Sequence, residues 1–160
     1  MMMSDDSAGM PTETDLAMMK RALDLAANAA REGEVPIAAV IYRGDECIAE
    51  GWNRRENDHD ASAHAEIVAI REAGRKLGQW RLNGLSMAVT LEPCPMCAGA
   101  LVNSRIERLI YGADDPKAGA CRTLYEIPSD QRLNHRLDVI GGVMADESVS
   151  LLQAFFSARR

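Results

Sequence analysis

The chain has 160 residues, 47% of them apolar and 26% charged, with a net charge of −6. That is one domain's worth of sequence, long enough to bury a core, and the composition excludes a low-complexity or fibrous chain. The acidic balance argues against a nonspecific nucleic-acid coat, although a local basic patch remains compatible with it.

The start, Met1-Met2-Met3-Ser4-Asp5-Asp6, is acidic and has no apolar run of the kind a signal peptide needs. The best apolar run, Val35 to Tyr42, is too short to span a bilayer. These features predict a cytoplasmic protein whose four cysteines are thiols or metal ligands rather than disulfides. Residues 1–11 are polar and contain Ser, Gly and Pro, which predicts a disordered tail before a single domain over 12–160. Thr12 and Asp15 have capping-box spacing, and Leu16, Met19, Leu23, Ala26, Ala27 and Ala30 recur at helical intervals up to Gly33. Ile37–Tyr42 and Cys47–Trp52 read as a hairpin around the turn Arg43-Gly44-Asp45-Glu46. A polar loop, 53–62, precedes a helix expected over Ala63–Leu77 and stopped at Gly78. Met87–Leu91 reads as a buried strand, interrupted by Pro93 and Pro95, with a helix following to Asn103. Arg108–Tyr111 is a further strand. The stretch 112–134 is mostly loop, with room for a short helix at 121–126. Asp138–Val143 is a last strand, and Glu147–Arg159 a terminal amphipathic helix. This order predicts an α/β protein, a three-layer α/β/α sandwich on a mixed five-stranded sheet.

Two stretches carry chemistry: "AHAEIVAI" at 63–70 and "LEPCPMC" at 91–97. A catalytic zinc site takes three protein ligands and keeps one position open, and His64, Cys94 and Cys97 can supply the three. A C-x-x-C at a helix start brings both sulfurs to one side, and the positive helix end favours thiolate. Pro95 suits the first helical turn, where its missing N–H costs nothing. Glu66, two residues after His64, is turned roughly 200° around the helix axis from it, so it need not be a ligand. It can flank the site as a general base. A closed structural clip of His59, His64, Cys94 and Cys97 is the competing arrangement. The paired pattern H-x-E and P-C-x-x-C is the signature of zinc nucleobase deaminases.

Beyond that pair, "EVPIAAVI", "EGWNR", "AHAEIVAIREA", "WRL", "VTLEPCPMCAGALVNSRIERLIYGADDPKAG", "LNHRLDV" and "FFSARR" span nearly all of residues 34–160. In these runs the chain resembles the bacterial tRNA-specific adenosine deaminases of the cytidine-deaminase-like superfamily. The resemblance implies zinc, one ion per subunit, on His64, Cys94 and Cys97, with Glu66 as proton shuttle. It implies that Asn53 bonds the target nucleoside, with Ala65, Val89, Leu91 and Lys117 on the substrate side. It further implies a homodimer that binds a tRNA anticodon stem-loop and converts the wobble adenosine to inosine. Ala38 stands where the family usually has glycine, Arg54–Asp58 lack its usual proline and glycine, and Arg122 stands where small residues are common. "PCPMC" also occurs in guanine deaminases, so a zinc deaminase of a free base or nucleoside, guanine- or cytidine-type, is the alternative. A non-enzymatic zinc-stabilised interaction domain is a third.

Overall fold

The protein is described here by a computed structural model over residues 9–159. Most of the expected N-terminal tail, residues 1–8, and the terminal Arg160 lie outside the described residues. The first helix, α1 (Glu13–Arg31), starts on the expected capping box: the Thr12 hydroxyl accepts from the Asp15 N–H, and the Asp15 carboxylate accepts from the Thr12 N–H. Its buried stripe is Met18, Met19, Ala22, Leu23, Ala26 and Ala29. Leu16, expected on that stripe, is exposed instead.

Strands β1 (Ala38–Arg43) and β2 (Glu46–Trp52) form the hairpin. The polar loop after it contains one short helix, α2 (Arg55–Asp58), not read from the sequence. Helix α3 (Ala65–Leu77) leads to β3 (Ser86–Leu91), then α4 (Pro95–Asn103), β4 (Arg108–Ala113), β5 (Asp138–Ile140) and α5 (Ala145–Ser157). The short helix expected at 121–126 is absent. Turns occupy that stretch, and the only helical turn of the segment is a 3-10 turn at Ile127–Ser129. Pro128 lies in its first turn, where a missing N–H costs nothing.

The sheet order is β2-β1-β3-β4-β5. β1 runs antiparallel to both neighbours, whereas β3, β4 and β5 are mutually parallel. Side chains alternate across the pleat. Ala39, Ile41, Met87, Val89 and Leu109 face α3 and α4 in one core, while Val40, Tyr42, Ala88 and Ile110 face α1 in the other, where Leu151 of α5 packs. This is the expected three-layer sandwich. On the α1 side, buried Asp15 receives two hydrogen bonds from Arg108 (3.0 and 2.7 Å) and one from the Tyr42 hydroxyl (2.6 Å). That network fastens the first helix across β1 to β4.

Candidate functional site

The two parallel-type crossovers place α3 and α4 on the same face of the sheet, each starting from its carboxyl edge, where α/β folds gather ligands. His64 is the N-cap residue of α3, and Cys94 is the N-cap residue of α4. Neither side chain caps its own helix, so both are free to point outward. Pro95 occupies the first turn of α4 as expected, and Cys97 follows within that turn. His64 Nδ1 lies 3.5 Å from Cys94 Sγ and 3.5 Å from Cys97 Sγ. The three ligand atoms all fall within 4.8 Å of one another.

Ordinary Zn–N and Zn–S bond lengths at a tetrahedral angle require an N···S separation of roughly 3.6 Å. The donor set and its spacing therefore fit a zinc ion. His59 is not in the group. It is an exposed residue with φ 50° that ends α2, which removes the four-ligand clip among the described residues.

Without an ion, the donors share their protons unequally. The hydrogen bond from the Cys97 thiol, then that from His64, lowers the Cys94 pKa to about 4, overcoming its burial. The Cys97 thiol is pushed up, because it donates to Cys94 and is itself buried. His64 is raised, first by its hydrogen bond with Cys94. Glu66 is 4% exposed, and burial pushes its pKa up to about 7. A buried carboxyl group beside three metal-type donors is placed to take and return protons.

The other expected residues are placed as follows. Asn53 is buried, and its Oδ1 accepts from the Arg55 N–H (3.1 Å), which leaves the amide nitrogen free to donate. Ala65 opens α3 with 1% of its surface exposed, and Val89 is fully buried between Ala39 and Tyr111 in the sheet. Leu91 and Lys117 line a common cleft of about 470 Å³ with Val35, Asp115 and Phe156. A larger depression, about 770 Å³, lies between α3 and α4 around Ile70, Gly74, Trp80 and Ala100, and none of the three donors lines it. Ala38 donates its N–H to Thr90 Oγ1. Arg122 pairs with Asp114 (2.9 Å), and His135 Nε2 is 2.7 Å from the Ile106 carbonyl oxygen, a backbone-ordering role. Arg159 lies over the Phe155 ring.

Two buried carboxylates were not found from the sequence. Glu34 accepts from the N–H groups of Glu56 and Asn57 (3.1 and 2.8 Å), tying down α2 just after Asn53. Glu92 gathers a cage of donors from residues 115–123. Glu92 stands beside Pro93 after an apolar strand and Glu34 two residues before Pro36, and neither position names its partners.

An α/β/α sandwich with a His-Cys-Cys donor group and a buried glutamate at two helix starts is the architecture of a deaminase, and the family model of the MafB19-like deaminases matches residues 13–160. A tRNA-specific adenosine deaminase of Bacillus subtilis (strain 168) is 47% identical over 146 residues, covering 91% of each chain. A solved structure from work on A-to-I editing by tRNA:A34 deaminases superposes with a TM-score of 0.81 at 44% identity, covering 85% of this chain and 99% of the other. A guanine deaminase from Bacillus subtilis gives a TM-score of 0.60 at 38% identity, covering 61% of this chain and 63% of that one. The chain belongs to the tRNA-specific adenosine deaminase family.

Proposed function

We propose that this protein hydrolytically deaminates the wobble adenosine of a tRNA anticodon loop to inosine, using zinc held by His64, Cys94 and Cys97. The observation that carries the reading is the buried Glu66 carboxyl beside a donor triad whose Nδ1 is equidistant from two sulfurs. The high identity and coverage of relatives named for tRNA adenosine deamination supports the substrate. The lower identity to the guanine deaminase, 38% against 47% for the tRNA-specific relative, makes the free-base alternative the weaker one.

When bound, zinc lowers the pKa of a water molecule to about 7, which supplies a hydroxide nucleophile at neutral pH. The rest is done by the chain. Glu66 takes the proton released from water and delivers it to N1 of the adenine ring. Once the water oxygen has bonded to C6, Glu66 takes the remaining proton of that new C6 hydroxyl and hands it to the amine nitrogen as the C6–N bond breaks. Water enters, ammonia leaves, and the balance is adenosine plus water giving inosine plus ammonia. Asn53, with its amide N–H free, orients the nucleoside. Ala65 and Val89 shape the buried walls, and Leu91 and Lys117 face the RNA from the cleft they share. The adenosine must leave its stack to reach the donors, which an already splayed anticodon loop makes inexpensive.

A cytoplasmic location fits this reading, since thiolate ligands persist in a reducing compartment. No described helix is long and apolar enough to cross a membrane. The homodimer belongs to the same proposal. The apolar run Cys97–Val102 does not support it, because Cys97, Ala98, Leu101 and Val102 are spent on the subunit's own core. The exposed Trp80, which lines the depression between α3 and α4, is the better support. Sedimentation of the wild type against Ala100→Arg, at a half-buried position lining that depression, tests it.

The deciding assay sets an anticodon stem-loop with adenosine at the wobble position beside free guanine, adenosine and cytidine, with Glu66→Ala as blank. Inosine in the stem-loop alone is the expected result. Activity confined to a free base or nucleoside overturns the tRNA assignment.

A further inference from the structure

Glu66 is accounted for by the proposed chemistry, but Glu92, 2% exposed, is a buried carboxylate that takes no part in it. Glu92 sits between the end of β3 at Leu91 and the pair Pro93-Cys94. One oxygen accepts from the Asp115 N–H (3.0 Å) and the Thr123 hydroxyl (2.5 Å). The other accepts from the N–H groups of Cys121 (3.1 Å), Arg122 (2.9 Å) and Thr123 (2.9 Å). No lysine or arginine forms an ion pair with it among the described residues. Its partners are the two ends of one segment, 115–123, which has only turns of its own.

Ala120 and Cys121 anchor that segment in the core and the Ala120 N–H donates to the Pro93 carbonyl, but residues 116, 117, 122 and 123 on either side of that anchor are exposed, and Glu92 ties the two sides to each other. A glycine at 119 is part of the arrangement. A Cβ there would strike the Glu92 carboxylate and come within 2.6 Å of the Asp115 carbonyl oxygen, so the chain can wrap the carboxylate only without a side chain. The same segment supplies Asp115, Pro116 and Lys117 to the cleft that Leu91 shares. Cys94 follows Glu92 by two residues. One side chain thus fixes the cleft wall relative to the strand end that delivers a donor to the metal centre.

We propose that Glu92 is a positioning residue for RNA. Its carboxylate holds segment 115–123 in the binding conformation before substrate arrives, so that Lys117 and its neighbours meet the nucleotides flanking the reacting adenosine without paying for loop ordering. This rests on the tRNA reading of the site. Preorganisation of this kind acts on affinity rather than on the chemical step.

The test uses the full-length, zinc-loaded chain in a Glu66→Ala background, so that substrate is bound and not consumed. Three readouts are taken: zinc per chain, amide exchange at Cys121, Arg122 and Thr123, and Kd for a labelled anticodon stem-loop. Glu92→Gln is expected to keep its zinc, to exchange those amides faster and to raise Kd by about tenfold or more. Thr123→Val removes one donor and leaves Glu92 and its flanks in place. It serves if Glu92→Gln does not fold, and is expected to give the same pattern at about threefold. Faster exchange with Kd within twofold of the parent makes the cage merely structural and overturns the proposal. Zinc lost in parallel with affinity also overturns it, because Glu92 would then act through Cys94 and not through the loop. A parent that does not bind the stem-loop removes the tRNA reading and this inference with it, and shows itself before any substitution is made.

Discussion

His64 and Cys94 occupy the same station in two different helices: each is the N-cap residue, and Nδ1 of one lies 3.5 Å from Sγ of the other. Two helix N-termini thus converge on one point, and both dipoles favour the thiolate that a metal ion needs. Neither residue spends its side chain on capping, so both helices forgo a contact that ordinarily stabilises a helix start by about 1 kcal/mol. An ion bound by the two side chains would replace that lost stabilisation. At a free metal concentration a thousandfold above Kd, the folded state gains about 4 kcal/mol. Chelation should therefore lower Tm of the wild type by several degrees and reversibly. Cys94→Ser should start low and show no response to chelator or to added zinc. A chelator-insensitive wild type would remove the metal from the account.

Glu66 lies beside the donors without being one of the three. Glu66→Gln should keep one zinc per chain and lower kcat by 10²- to 10⁴-fold, the usual range for loss of a general acid–base group. KM should stay within a few-fold, since the proposed role of the carboxyl group is proton transfer and not binding. Metal analysis beside steady-state kinetics checks both halves. Near-normal turnover would return Glu66 to the core as an ordinary buried side chain.

The sequence made the metal-type donors legible because they are local. H-x-E and P-C-x-x-C each sit in one helical turn, and the capping box and hairpin are equally short-range. The sheet, its five strands and the two helical layers followed from apolar periodicity. What sequence reasoning missed is long-range or irregular. Glu92 reaches partners 23 to 31 residues away, and Glu34 reaches partners 22 and 23 residues away. No spacing rule links such groups. The 121–126 segment misled because its amides bond to a side chain from another element instead of to one another. Asp15 was read as a helix cap alone, and its second task on Arg108 appears only once β4 is in place.

Asp15 gives a pH prediction. Burial by itself would raise its pKa, but the hydrogen bonds from Arg108, Tyr42 and the Thr12 N–H outweigh burial and hold it at about 2, against an ordinary 3.8. Its carboxylate is therefore better stabilised folded than unfolded. The contribution is fully present above pH 4 and is lost as pH falls through 2. A shift of that size corresponds to about 2 kcal/mol. Denaturant unfolding of wild type and Asp15→Asn should differ most near neutral pH, and the gap should narrow by about that amount between pH 4 and pH 2. A gap that stays constant across the window would mean that Asp15 and Arg108 are not paired in solution.

Gly51 sets how closely β2 can approach α3, the helix that carries His64 and Glu66 at its start. A Cβ at position 51 would collide with the Ala65 carbonyl oxygen, and it would lie 2.6 Å from the Ala69 backbone nitrogen. Both obstacles are backbone, so no rotamer change relieves them. Gly51→Ala must push the first turn of α3 off the sheet, at a cost of about 1–3 kcal/mol or more. Because His64 is the residue before Ala65, the same displacement moves one donor away from the two on α4. Activity and zinc affinity should therefore fall further than Tm alone would suggest. Removing the neighbouring methyl with Gly51→Ala/Ala69→Gly should rescue little, since the Ala69 side chain is only the third-nearest obstacle at 3.0 Å. Thermal melts, zinc titration and kinetics on the single and double variants check this together. Full rescue by Ala69→Gly would show that the constraint is side-chain crowding and not the backbone contact between strand and helix.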